Sequence, residues 1–247
     1  MAFLFYHFYN WNNLKGLLLA VLFLMLSAIT DLLDGKIARK RNIVTDFGKL
    51  VDPIADKMLT SAAMVVLVTW GKLPAYMAII LIGRDLMINP LRNLAAKDGV
   101  AISAKWSGKI KTLLQIIAYI ALLLKVDLIG NIVLWLALAV TLYSVYEYLV
   151  PNLSIVKRYG WVKYLALFLD KFLIYTALFI LCQLHMVPMV VAFLIIAKDN
   201  ILSGFRTMAE LYHVTVRIRL VDAIAQLLVV LALVFAIFWP ANSGLLL

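Results

Sequence analysis

The feature that most constrains this chain is a recurring one: long apolar stretches, each about the 20 residues a helix needs to cross a bilayer, follow one another almost without pause. They fall near 14–33, 53–70, 75–96, 112–125, 131–150, 164–184, 188–210 and 220–240. With 65% of its 247 residues apolar and 15% charged, the chain holds more hydrophobic surface than a soluble interior of its size can bury. The expected fold is all-α, a polytopic helical membrane protein of about eight transmembrane helices. A net charge of +10 would suit nucleic acid in a soluble protein, but here it reads as membrane topology, and no nucleic-acid partner is expected.

The loops support that reading. Basic residues gather in 35–51 (Lys36, Arg39, Lys40, Arg41, Lys49), 97–111 (Lys97, Lys105, Lys109, Lys111), 151–163 (Lys157, Arg158, Lys163) and 211–219 (Arg217, Arg219). The intervening loops hold little beyond Lys72 and Asp127. The positive-inside rule then puts all four basic loops in the cytosol of a multi-pass protein of the cell membrane. The single cysteine, Cys182, lies in an apolar run and reads as a packed side chain, which leaves no disulfide framework. The first nine residues lack the basic start and small-residue cleavage site of a signal peptide.

The chain also repeats itself. At an offset of 114, residues 56–95 align without a gap on 170–209 with 11 identities in 40. They include Asp56/Asp170, Lys57/Lys171, Pro74/Pro188, Asp85/Asp199 and Arg92/Arg206, and charges and prolines carry more weight in apolar sequence than matched leucines do. The chain divides into a first unit, 1–150, and a shorter, degenerate partial repeat, 151–247.

The densest chemistry lies between 31 and 56. Asp31 and Asp34 are three residues apart and Asp52 and Asp56 four apart, so each pair shares one face of a helix end. Four carboxylates at the edge of hydrocarbon repel one another unless cations neutralise them, and oxygen ligands without histidine or thiolate suit Mg²⁺ or Mn²⁺ rather than zinc. Gly35, Ala38 and Gly48 allow a ligand to approach, and Arg39 can fork onto a phosphate. A lone aspartate here is equally well explained as a helix cap, but two acidic pairs with glycines at these positions describe a diphosphate site.

The spacing D-x2-D-G-x2-A-R-x8-G-x3-D-x3-D, met by Asp31, Asp34, Gly35, Ala38, Arg39, Gly48, Asp52 and Asp56, resembles the signature of the CDP-alcohol phosphatidyltransferases. VDPIADK, GRD at 83–85 and SGKIKT at 107–112 look most like the branch that makes phosphatidylglycerophosphate, and the resemblance covers roughly 12–150. It implies a six-helix membrane fold, usually a homodimer, that transfers the phosphatidyl group of CDP-diacylglycerol to sn-glycerol 3-phosphate and releases CMP. By the same resemblance Asp31, Asp34, Asp52 and Asp56 would hold the metal ions, and Asp31, Gly35, Ala38, Arg39 and Gly48 would bind the CDP portion. Asp56 would be the catalytic base toward the acceptor hydroxyl.

An acceptor that carries its own phosphate needs a second anion site, for which Arg84, Arg92, Lys105, Lys109 and Lys111 are the candidates. Arg92 is the strongest, because a guanidinium on an apolar helix is costly without an anion. The family's N-terminal Asn-Pro helix has no counterpart beyond 1–9. In the second unit Ala166 stands where Asp52 has its counterpart and no DxxDG precedes it, so that unit is expected to be catalytically silent and to serve as an internal pseudo-partner. Three other readings remain open: a related transferase with another acceptor, a non-catalytic relative, and a transporter, which would place its acids near the midplane.

Overall fold

The computed structural model describes residues 46–98, 102 and 105–211, with isolated helical positions at 22, 26, 229 and 231. Every regular element among the described residues is helical. They are α1 (Asp46–Thr69), α2 (Ala75–Lys97), α3 (Trp106–Leu123), α4 (Asp127–Leu149), the seven-residue α5 (Leu153–Tyr159), α6 (Trp161–Gln183) and α7 (Met189–Leu211), with a 3-10 turn at Val150–Asn152. Six of the apolar stretches read from the sequence correspond to α1, α2, α3, α4, α6 and α7. Those at 14–33 and 220–240 lie outside the described residues, apart from isolated positions.

Among the described residues two stretches are long and apolar enough to cross a membrane, Asp127–Tyr159 and Trp161–Gln183. Their outer faces fit lipid: Leu128, Ile132, Trp135 and Tyr143 on α4, and Val162, Leu165 and Leu173 on α6, are all exposed. In water such faces would be an aggregation hazard, whereas a helix in hydrocarbon satisfies its backbone internally and presents this surface freely.

The helices fall into two compact units, one containing α1 and α7 and the other α2 to α6. In the first, α1 packs on α7 through Ala62, Phe193 and Ala197, with Met58 against them. In the second, α3 and α4 form a tight hairpin: a Cβ on Gly130 would stand 2.7 Å from Leu122, so only glycine allows this approach. Its two ends differ in character. At one, Lys72 is paired with Asp127 at 2.6 Å and the side chain of Gln183 accepts the backbone N–H of Ala75, satisfying one of the orphan donors at the start of α2. At the other, α2 and α5 are tied by Arg158 and Tyr159, which reach Asp98 at 2.9 and 2.6 Å, above a cluster of Leu91, Leu94, Ala95, Ile155, Val156 and Tyr164.

Two segments read as basic loops are corrected. Much of 151–163 is the helix α5, which packs Ile155 and Val156 inward and leaves Arg158 outside. Lys109 and Lys111 belong to the first turns of α3 rather than to a loop; Lys111 is only 3% exposed because it is paired inside the unit.

Candidate functional site: a basic cluster around Tyr148

Of the acidic constellation, Asp31, Asp34, Gly35, Ala38 and Arg39 lie outside the described residues. Gly48, Asp52 and Asp56 lie on α1, which is helical through all three, so 52 and 56 fall one turn apart on a single face. Their side chains are outside those described. Among the described residues no group of three or more His, Cys, Asp or Glu side chains comes together.

The second set of candidates is described in full, and it converges. Tyr148, at the end of α4, is buried at 1% exposure. Three cations surround its ring: the guanidinium carbons of Arg84 and Arg92 lie 5.1 and 5.3 Å from the centroid and Lys105 Nζ lies 5.9 Å away. Contacts of this kind are worth about 0.5–2 kcal/mol each, the larger values where water is excluded. The Tyr148 hydroxyl accepts from the backbone N–H of Lys105 at 2.6 Å and from Arg92 Nη2 at 3.2 Å. One phenol thus fixes both the start of α3 and a guanidinium of α2.

Arg84 is held from two sides. Its Nη1 meets Asp85 Oδ1 at 2.8 Å, and its Nε and Nη2 both donate to Ser144 Oγ, at 3.2 and 2.6 Å. Gly108 leaves room for this fork, since a Cβ there would stand 3.0 Å from Arg84 Nη2. Ser144 hydrogen-bonds Ser107 at 3.2 Å, and Ser107 donates to Glu147 Oε2. Lys105 Nζ donates to the Glu147 carbonyl at 2.9 Å and lies 3.7 Å from its carboxylate, while Lys111 Nζ meets Asp85 Oδ2 at 2.8 Å. Lys109 stands apart from this network, over the exposed ring of Trp106.

Arg84, Arg92, Lys105 and Lys111 are therefore brought together, and the charges do not balance. Among the described residues these four cations share two carboxylates, Asp85 and Glu147. The surplus falls on Arg92. Among the described residues its guanidinium meets only the Tyr148 hydroxyl and ring, and its Nε is buried with no hydrogen-bond partner. A buried charged donor left unpaired is costly, so the arrangement suits an anion that supplies the missing acceptors. Ser144, Glu147 and Tyr148 were not singled out from the sequence, and Asp85 and Ser107 were noted there only within the repeat and the GRD and SGKIKT motifs. The one available signal was the spacing of Ser144, Glu147 and Tyr148, which puts all three on one face of α4.

Helices long enough to cross a membrane and the eight-residue signature are those expected of a membrane-embedded transferase. The chain belongs to the CDP-alcohol phosphatidyltransferase family, whose profile matches residues 1–143. It is 43% identical over 145 residues to the CDP-diacylglycerol--glycerol-3-phosphate 3-phosphatidyltransferase of Bacillus subtilis (strain 168), covering 56% of this chain and 75% of that protein. A protein of the same name from Rickettsia felis is 36% identical over 149 residues (57% and 82%), and one from Pectobacterium atrosepticum 35% over 143 residues (53% and 77%). No solved structure matches the chain.

Proposed function

We infer that this protein transfers the phosphatidyl group of CDP-diacylglycerol to sn-glycerol 3-phosphate, giving phosphatidylglycerophosphate and CMP in phospholipid biosynthesis. Family membership and relatives bearing that enzyme name support the reaction. The structural observation that supports an acceptor with its own phosphate is the excess of two positive charges around Tyr148 among the described residues, which suits a phosphate monoester carrying about −1.5 to −2 near neutral pH. Serine would leave that excess uncompensated, and the relatives named for glycerol 3-phosphate favour it over inositol phosphate.

In this reading Arg92 binds the acceptor phosphate with its free donors. Arg84 and Lys105, held by Ser144, Glu147 and Tyr148, set the field around it, and Lys111 keeps Asp85 neutralised. Asp31, Asp34, Asp52 and Asp56 offer only oxygen donors, and their spacing fits one or two Mg²⁺ or Mn²⁺ ions. Bound there, such ions would supply charge neutralisation for the diphosphate. Gly35, Ala38, Arg39 and Gly48 accommodate the CDP portion, and Asp56 takes the proton from the attacking hydroxyl.

The protein is a membrane protein. We place it in the cell membrane as a multi-pass chain of about eight spans with the site facing the cytosol. The basic segments 97–111 and 151–163 support this, since the ties from Arg158 and Tyr159 to Asp98 bring them to the same end of their unit. The test is acceptor dependence of CMP release by the purified chain. Release with sn-glycerol 3-phosphate and none with glycerol or serine is expected; equal release with an uncharged acceptor would overturn the assignment of the basic cluster.

A further inference from the structure

Two pairs of helices in this chain pack in the same way with their roles exchanged. At the offset of 114 residues, α1 corresponds to α6 and α2 to α7, and the element ends correspond with them. α1 ends at Thr69 and α6 at Gln183, while α2 runs Ala75–Lys97 and α7 runs Met189–Leu211. The turns correspond too. Gly71 and His185 occupy equivalent positions, and both are left-handed, with φ of 68° and 55°. Glycine takes that conformation freely; histidine does so only where the surrounding chain imposes it. After each turn a proline starts the next helix in the same way. The carbonyl of Pro74 accepts from Met77 and Ala78 at 3.0 and 3.2 Å, and that of Pro188 from Val191 and Ala192 at 3.0 and 3.2 Å. Ten residues further on, Arg84–Asp85 at 2.8 Å is matched by Lys198–Asp199 at 3.0 Å.

The packing partners show what the repeat is for. α1 packs on α7, and α2 packs on α6. In the first pairing Met58 of α1 lies against the cluster that includes Ala197 of α7. The positions equivalent to Met58 and Ala197 in the second pairing are Phe172 of α6 and Gly83 of α2, and these two are neighbours: a Cβ at 83 would stand 3.0 Å from the Phe172 ring. A large side chain of one helix thus lies at the packed seam in both pairs, Phe172 against Gly83 in the second and Met58 against the cluster of Ala62, Phe193 and Ala197 in the first. Residue i touching j while the counterpart of i touches the counterpart of j is the rule of an isologous interface between two copies.

We infer that residues 161–211 supply internal partners for residues 46–97, α7 for α1 within one unit and α6 for α2 within the other. One hairpin keeps the acids at 52 and 56. The other has Ala166 at the counterpart of Asp52 and keeps the packing surface. The helix that bears the acidic pair then rests on α7 of its own chain, and each chain carries one site.

Paired cysteines test this in the full-length protein purified in detergent, with Cys182→Ser removing the native thiol. Met58→Cys with Ala197→Cys, and separately Phe172→Cys with Gly83→Cys, are treated with a short bis-methanethiosulfonate reagent and weighed by denaturing mass spectrometry. Both pairs are expected to close within single chains. Crosslinks that join two chains, or closure of only one pair or of neither, would overturn the inference. Should a cysteine pair prevent folding, a size exchange reads the same contact. Ala197→Met alone is expected to lower the thermal midpoint and addition of Met58→Ala to recover it; absence of recovery would count against the internal pairing.

Discussion

The hydroxyl of Tyr148 accepts a hydrogen bond from Arg92 Nη2 at 3.2 Å, and it is the one polar atom among the described residues that this guanidinium reaches. The same oxygen takes the backbone N–H of Lys105 at 2.6 Å. A single phenol therefore aims a cation from α2 and fixes the start of α3.

Tyr148→Phe keeps the ring and its cation contacts but removes that oxygen. A hydrogen bond to a charged group is worth about 1.5–3 kcal/mol, so the KM for glycerol 3-phosphate should rise at least tenfold. kcat should change little. Steady-state measurement of CMP release at varied acceptor concentration separates the two constants.

Arg92→Ala should raise that KM by roughly thirtyfold, corresponding to about 2 kcal/mol of lost charge-assisted binding. Arg92→Lys should recover only part of the loss, because an ammonium keeps the charge but not the planar fork. The KM series wild type, lysine, alanine checks both expectations.

Lys111 and Asp85 should matter for stability. The lysine side chain is 4% exposed and the aspartate 32%, so stranding either partner costs less than in a fully dry pair. We expect Lys111→Met to destabilise by about 2 kcal/mol, and Lys111→Met with Asp85→Leu to recover much of it, since an apolar pair can replace a buried ion pair. Thermal unfolding in detergent distinguishes the two variants.

Asp98 gives the protein an acid-sensitive tie. The Tyr159 hydroxyl, and after it Arg158, hold its carboxyl below the ordinary carboxylate range. A carboxyl depressed in the folded state stabilises above its unfolded value and loses that contribution as the pH falls through the folded one. Wild type should exceed Asp98→Asn in thermal midpoint at pH 7, and the gap should close in strongly acid solution, below about pH 3.9.

Much of this was legible in the sequence, for identifiable reasons. Apolar runs broken at Pro74 and Pro188 mark helix ends because proline starts a helix more readily than it continues one. The basic residues proposed for the acceptor could be named because arginine in apolar sequence demands an anion. Lys111 was misplaced because its partner, Asp85, lies 26 residues away on another helix. The role of Tyr148 was hidden for a related reason: a tyrosine at the end of an apolar span looks like an interfacial anchor until α2 and the start of α3 are seen to converge on it. The acidic set rests on spacing alone. α1 is helical through positions 52 and 56, and the residues from 31 to 45 lie outside those described.

The most direct test supplies CDP-diacylglycerol, sn-glycerol 3-phosphate and Mg²⁺ or Mn²⁺ to the purified wild-type chain and to Asp56→Asn, and follows CMP. Wild type should release CMP only with metal present, and Asp56→Asn should be slower by at least about a hundredfold, the usual worth of a positioned general base. No release by wild type, or undiminished release by Asp56→Asn, would contradict the assignment.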